Sequence, residues 1–484
     1  MNGLLIAIFL PLVCGLIIPL LKSKKVREGC ILAVVLLNSI IIMFMVFNDN
    51  SYELTLIKIN AFFEISFYIE GVGKVFAFLI SLLWPIATLY AFSYMKKEKN
   101  QASFFRYYTI TYGIVAGVAF SKNLITMYLF YELLTFVTLP IIMHEMDKKS
   151  IAAGRIYLIV SIFGAAMSLV GIFMLTHYSS NTNFIFGGVL NGNNLGVILN
   201  TVLVAYILCF FGFGVKSAIL PFMEWLPKCS VAPTPVTALL HAVAVVKAGV
   251  FAIIRVTYYS FGVDILKGTY AQSIILIVAM ISILYGSSMA LIEQDIKRRL
   301  AYSTASNLSY ILLAIGLMTT EGLKAGLTHM LFHGIIKITL FFVAGSFIVN
   351  VNIRKVNEVR GLSKYMPKTI FVWLVASLGL IGVPFTCGFI SKLNLLSALI
   401  DYNSILSNIG LAVIIVSAIL TCIYLFTITV LSYMPEKSYN NSIRKDTDIL
   451  MLIPYIILIV LIIFFGMNSD TILGFIDDVA KGGI

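Results

Sequence analysis

"FGFGVKSAILPFMEWLPKCSVAPTPV", Phe211 to Val236, decides the fold. It continues an apolar run that starts near residue 200, yet it contains Lys216, Pro221 and Pro227. Proline has no amide hydrogen to donate, and its ring clashes with the preceding turn, so a helix through this stretch must break. A break in hydrocarbon leaves carbonyls that only other protein groups or a wet cavity can satisfy. An ionisable residue at that depth is costly, and it marks a transport path before it marks an anchor.

The composition supports the membrane setting. The chain has 484 residues, 60% hydrophobic and 12% charged, with a mean hydropathy of +1.00. That is too little charge to cover a soluble surface. Continuous apolar runs of about 20 residues recur, each long enough to span a bilayer as a helix. Barrel strands would alternate polar and apolar residues instead. The chain therefore reads as an all-α polytopic membrane protein with about fourteen transmembrane helices. The first run, residues 2–21, lacks preceding basic residues and a small-residue cleavage site, so it reads as a retained helix. Two polar stretches stand out. Residues 49–74 alternate like a hairpin, and residues 178–199 are Asn/Gly-rich like a loop.

A second interruption lies in "ASLGLIGVPFTCGFISKLNLL", Ala376 to Leu396, at Gly382 and Pro384. Broken helices in corresponding places point to a path built from repeats. The breaks fall in spans 7 (200–227) and 12 (369–400), five helices apart, and an odd separation inverts the second unit. Two inverted five-helix repeats are expected, spans 4–8 (104–257) and 9–13 (271–433). Residues 1–100 hold helices 1–3, residues 449–484 hold the last helix and tail, and the whole 1–484 forms one membrane domain.

The net charge of +12 reflects topology. Of 34 Lys and Arg, 23 fall in loops after odd-numbered spans, Lys297 and Arg299 among them, down to Lys437, Arg444 and Lys445. The positive-inside rule then places those loops in the cytoplasm and both termini outside a cytoplasmic membrane. A nucleic-acid partner is not called for. The six cysteines are scattered, with no CxxC, and no Gly-rich nucleotide loop occurs. No cofactor and no redox chemistry are expected in this chain.

Seven more lie on the opposite face: Lys58, Lys74, Lys122, Lys267, Lys324 and Lys481, with Arg255 at a helix end. Four lysines remain, all inside spans: Lys216, Lys247, Lys337 and Lys392. Lysine suits proton transfer because its pKa moves readily, whereas arginine's does not. Glu132, in "MYLFYELLTFVTL", is the acid in a membrane core. Lys216 lies five residues before Pro221 and Lys392 eight after Pro384, beside distorted backbone that water can reach. Lys247 sits fifteen residues into span 8 (233–257), too deep to reach the interface cheaply, and needs a partner or a wet cavity. His241 is six residues away and off its stripe. His329, His333 and Lys337 are spaced i, i+4, i+8 and share one face of span 11. Histidine titrates near neutral pH, which suits a relay. The polar set "YSTASNLSY", Tyr302 to Tyr310, reads chiefly as helix–helix hydrogen bonding.

Taken together, "FYELLTF", the Gly214–Phe251 stretch, "DIKRRLAYSTASNLSY", "HMLFHGIIKITLFFVAGS" and "ASLGLIGVPFTCGFISK" resemble a known family. It comprises the antiporter-like subunits of respiratory complex I, of Mrp-type cation/proton antiporters and of membrane-bound energy-converting hydrogenases. The resemblance covers about residues 100–400. It implies a row of titratable residues along the membrane midplane. Glu132 takes the place of the family's glutamate, Lys216 that of its partner lysine and Lys247 that of the central lysine. His329, His333 and Lys337 form the link, and Lys392 is the terminal group, a lysine where one branch has glutamate. His241 together with Lys247 looks most like the hydrogenase and Mrp branches. The chain ends soon after span 14, which implies that the lateral helix of the largest members is lacking.

The function expected first is a proton-translocating subunit of a redox-driven complex, membrane-bound hydrogenase or complex I-like. The alternatives are a subunit of an Mrp-type Na+/H+ antiporter and a non-transporting scaffold. Expected partners are further membrane subunits, antiporter-like ones among them, and peripheral iron–sulfur, hydrogenase or dehydrogenase subunits. The expected cargo is protons, with Na+ as the alternative.

Overall fold

The computed structural model describes residues 2–48, 52–60, 62–179, 181–190, 195–435 and 446–482. Lys437, Arg444 and Lys445 of the basic count, and 191–194 of the Asn/Gly-rich stretch, lie outside them. Four helices come first: α1 (Asn2–Ile17), α2 (Lys24–Phe47), α3 (Gly71–Tyr94) and α4 (Gln101–Ala119). The strands β1 (Glu53–Lys58) and β2 (Glu64–Tyr68) lie between α2 and α3. Next come α5 (Leu124–Ile142), α6 (Lys148–Thr176), α7 (Leu195–Gly214), α8 (Trp225–Lys228), α9 (Thr234–Ala242), α10 (Val245–Arg255) and α11 (Val263–Leu266). The remainder is α12 (Tyr270–Ile292), α13 (Ile296–Gly316), α14 (Thr320–Val351), α15 (Pro367–Ile381), α16 (Cys387–Tyr402), α17 (Ile405–Tyr433), α18 (Ile449–Met467) and α19 (Asp470–Ala480).

Among the described residues ten helices are long and apolar enough to cross a membrane, and two shorter apolar helices lie at Ile198–Gly214 and Pro367–Ile381. This is a multi-pass, all-α membrane protein. Helices α2, α6, α17 and α18 turn large apolar side chains outward, Phe44, Phe173, Ile419 and Val460 among them. In water such a surface would be a liability; against lipid it is the solvent-matched face. The stretch Thr234–Phe261 is wholly buried. It packs beside α14, a 32-residue helix whose residues Leu327–Phe347 are all buried.

The breaks explain where the site forms. Helix α7 stops at Gly214, seven residues before Pro221, so Lys216 sits within the break and not upstream of it. The backbone groups freed there find new partners. The Trp225 indole donates to Val215 O (2.8 Å), and Leu220 N donates to Ser282 Oγ on α12 (3.1 Å). Span 12 breaks where expected, between α15 and α16, and Gly382 closes α15 at φ 89°, a conformation that glycine adopts without strain.

Span 8 departs from the sequence reading of one continuous helix. Val243 and Ala244 leave helical geometry and separate α9 from α10. No proline or glycine lies at that point, so the break follows from tertiary packing and had no local signal. Beyond α10, residues Val256–Phe261 widen into a π-helix.

The polar segments pack together at one end of the bundle. β1 and β2 pair antiparallel from Glu53↔Tyr68 to Lys58↔Glu64, as the alternation predicts. The Asn123 side chain joins this hairpin to α5: its amide donates to Glu64 O (2.9 Å) and its carbonyl accepts from Thr126 N (2.8 Å). Within the Asn/Gly-rich stretch, Ile185 N donates to Tyr259 O (3.1 Å) and Gly187 N to Tyr258 O (2.9 Å).

Beneath this cap lies Arg255, which the sequence reading set at a helix end and among the accessible charges. It is fully buried. Its guanidinium pairs with Glu70 (3.1 Å), donates to Ser121 O (2.5 Å) and Ala119 O (3.2 Å), and stacks against Phe184 and Phe251. Ala119 ends α4, so the cation satisfies carbonyls that have no helical donor. The deep basic residues are therefore not all lysines. Removing one partner of a buried ion pair strands the other. Arg255→Ala is expected to cost about 3–5 kcal/mol, read as a lower thermal unfolding temperature of the purified protein. Adding Glu70→Gln recovers part of that loss.

Candidate ion-translocation site

Helix α5 brings Glu132 to the break that carries Lys216. The Lys216 amine lies 3.5 Å from Glu132 Oε1, donates to Tyr131 O and sits 3.4 Å above the Tyr131 ring. Lys216 is 1% exposed. A carboxylate, a carbonyl and a π face together replace the water that the ammonium loses.

Gly249 sets the approach of the next helix. A Cβ there would come within 2.7 Å of Ser217 N, so only glycine lets α10 close against the backbone beside Lys216. Two residues earlier, the fully buried Lys247 amine meets His333 Nδ1 at 2.9 Å. This contact joins α10 to α14. With a charged Lys247 donating, Nδ1 accepts; with a neutral amine, His333 can donate in return. A proton can therefore rest on either side of one hydrogen bond.

From His333 the row continues along α14. The His329 and His333 rings stack with centroids 5.7 Å apart, and His329 stacks on Tyr310 at 5.5 Å. His329 Nδ1 bonds Ser391 Oγ (3.1 Å), which brings in α16. The next residue, Lys392, donates to Ile381 O (2.9 Å), the last carbonyl of α15, left open by the break. Its amine lies 5.7 Å from the Tyr310 ring centroid. One turn on from His333, Lys337 faces α13 and donates to Ser303 Oγ (2.8 Å) and Leu300 O (3.1 Å). Ser303 in turn shares a 2.5 Å hydrogen bond with the Tyr424 hydroxyl of α17.

His241 is placed differently. It is fully buried on α9, with its ring 4.7 Å from that of Phe341, and neither ring nitrogen has a hydrogen-bond partner among the described residues.

Two groups emerge. Glu132 meets Lys216, and Lys247 meets His333, which has His329 and Lys337 one helical turn to either side; Lys392 approaches through Ser391 and Tyr310, both of which touch His329. Sequence reasoning missed the residues that contact these groups: Tyr131, Ser303, Tyr310 and Ser391. Tyr131 and Ser391 adjoin Glu132 and Lys392 in the chain, which was an available signal. Ser303 and Tyr310 belong to the polar set assigned to helix packing. That role is real: Ser306 and Ser417 both bond Ser287, at 2.8 and 2.5 Å. Two further residues counted as loop charges, Lys297 and Arg299, are also buried.

Residues 121–421 match the family model described as NADH:quinone oxidoreductase/Mrp antiporter, transmembrane. The chain belongs to this family. Across 499 residues it is 30% identical to Na(+)/H(+) antiporter subunit A1 of Staphylococcus haemolyticus, covering 96% of this chain and 61% of that protein. The Staphylococcus aureus subunit A1 is 28% identical over 506 residues, with the same coverage. The chain thus spans about three fifths of the length of these curated relatives. In fold it superposes on a chain of an archaeal membrane-bound sulfane sulfur reductase with a TM-score of 0.88, at 21% identity, over 100% of this chain and 98% of that one. A chain of the Mrp complex from Dietzia sp. DQ12-45-1b gives 0.87, at 19% identity, over 99% and 97%. The antiporter-like fold is therefore shared by both kinds of assembly.

The Glu132–Lys216 contact predicts a coupled pair. Glu132→Gln and Lys216→Met, measured singly and together by thermal unfolding, are expected to deviate from additivity by about 1–3 kcal/mol. Additive effects would mean that the two charges do not interact.

Proposed function

We propose that this chain is the proton-translocating, antiporter-like subunit of a multi-subunit cytoplasmic-membrane complex, and that Glu132, Lys216, His241, Lys247, His329, His333, Lys337 and Lys392 carry the protons. One observation carries the reading: the 2.9 Å contact of Lys247 with His333. Two buried titratable groups from different helices share a hydrogen bond, with further titratable groups beyond each.

In this reading the Glu132–Lys216 pair holds Lys216 charged. Separating the pair releases its proton toward Lys247, and a change of charge moves along the row to Lys392. Fourteen spans in two inverted repeats, 104–257 and 271–433, would give the row one half-path to each face, with both termini outside. The partners are further membrane subunits. The energy comes from them or from another ion gradient.

The curated relatives bring the Mrp-type assembly to the front, ahead of the redox-driven complex that the sequence reading placed first. Those relatives are A1 subunits of Na(+)/H(+) antiporters, and they align along 96% of this chain. Sodium requires oxygen ligands. The row offers one acid and four lysines, so protons suit this subunit and sodium would cross elsewhere in the complex. The second reading, a redox-driven complex with peripheral iron–sulfur subunits, draws support from the fold likeness to the sulfane sulfur reductase chain. Mild-detergent purification with mass spectrometry and metal analysis separates them. Small membrane subunits without metal support the first, and iron–sulfur partners the second.

The transport claim is tested in inverted membrane vesicles. Lys216→Ala and Lys392→Ala are each expected to lower proton movement by about 100-fold, the scale of a lost proton-transfer group, with assembly intact. Wild-type rates in either variant contradict it.

A further inference from the structure

Lys297 stands apart from the row, yet it is built like a member of it. It is the second residue of α13 and 7% exposed. Its amine donates to Ala232 O (2.6 Å), the carbonyl just before Pro233 where α9 begins. It also lines a polar basin with Glu145, Ser230, Asp295, Arg298 and Arg354. These residues come from the segment after α5, the α8–α9 connection, the α12–α13 turn with the first turn of α13, and the segment after α14. All belong to the face that holds most of the basic residues. The basin has a firm frame: Asp295 Oδ1 accepts from Arg298 N (2.9 Å), and Ile296 N donates to Arg354 O (2.9 Å).

Behind Lys297 the polar groups continue inward. Leu300 O and Ser303 Oγ, which hold the Lys337 amine, lie on the next two turns of α13. His241 lies on α9, the helix that starts beside the Lys297–Ala232 contact, and its ring is 4.7 Å from that of Phe341, one turn beyond Lys337 on α14; neither ring nitrogen has a partner among the described residues. An imidazole titrates near neutral pH and can take a proton on one nitrogen while it gives one up from the other.

We propose that Lys297 is the loading group of the row: it takes a proton from the basin and gives it to His241, which passes it to Lys337. At each transfer one N–H bond breaks on the donor nitrogen and one forms on the acceptor, over intervening water. The positive charge rests on one of the three groups at a time. Lys297, left neutral, is recharged from the basin. The inference rests on the reading of the row as a proton path.

The test uses the complete complex in native membrane vesicles, with proton movement followed by a pH-sensitive dye. Lys297→Arg keeps the positive charge and a donor for Ala232 O but does not release its proton. A purely structural cation tolerates this exchange, whereas a loading group does not. The expected result is an assembled complex whose proton movement falls by about tenfold or more. A rate like that of the wild type overturns the proposal. Lys216→Ala is measured alongside. If it stops transport and Lys297→Arg does not, only the loading role falls. If neither has an effect, the row itself is not a proton path.

A second measurement does not depend on how Lys297 variants fold. Val231, half-buried in the basin wall, is replaced by cysteine. The assembled complex is then treated from the basin side with a membrane-impermeant, positively charged methanethiosulfonate. Wild-type protein controls for the six native cysteines. Labelling is expected to slow proton movement, and an unchanged rate in labelled protein overturns the proposal.

Discussion

A lysine ammonium cannot rest in hydrocarbon without replacing its water, and this structure is organised around that requirement. Each of the four deep lysines has a protein partner: Tyr131 O and Glu132 for Lys216, His333 for Lys247, Ser303 and Leu300 O for Lys337, and Ile381 O for Lys392. The helix breaks place these groups. They free a carbonyl at Ile381 and set Lys216 in a non-helical segment against α5. The breaks and the lysines are one feature. A continuous helix through Gly382 would bond the Ile381 carbonyl within itself and leave the Lys392 amine without it.

The same constraint separates lysine from arginine. Arg255 and Arg299 are buried as deeply, but each binds two or more backbone carbonyls, most of them at or just beyond helix ends. Such cations are fixed, and they hold the bundle together. The lysines make fewer contacts and can lose their proton while the hydrogen bond to a hydroxyl, carbonyl or ring nitrogen persists. The chemistry of the head group thus sorts the buried basic residues into structural and mobile charges.

Much of this was legible in the sequence. Continuous apolar runs gave the membrane class, Pro384 and Gly382 located one break, and the i, i+4, i+8 spacing put His329, His333 and Lys337 on one face. Other parts were not. The break at Val243–Ala244 has no proline or glycine to announce it, and α7 ends well before Pro221. Tertiary packing decides both. The burial of Lys297 and Arg255 was hidden because both lie at helix ends, where a charge normally reaches water. The meeting of Lys247 with His333 joins residues 86 positions apart, which no local pattern encodes.

The central claim is that the row conducts protons through the Lys247–His333 joint. The most direct measurement is the proton flux of the purified complex in proteoliposomes, driven by an imposed ion gradient, for wild type and Lys247→Met. Methionine fills similar space without a titratable group. The account predicts that the wild type moves protons and that Lys247→Met, assembled to the same extent, does not. Equal fluxes would show that protons cross by another route and that the buried lysines serve only to hold the fold.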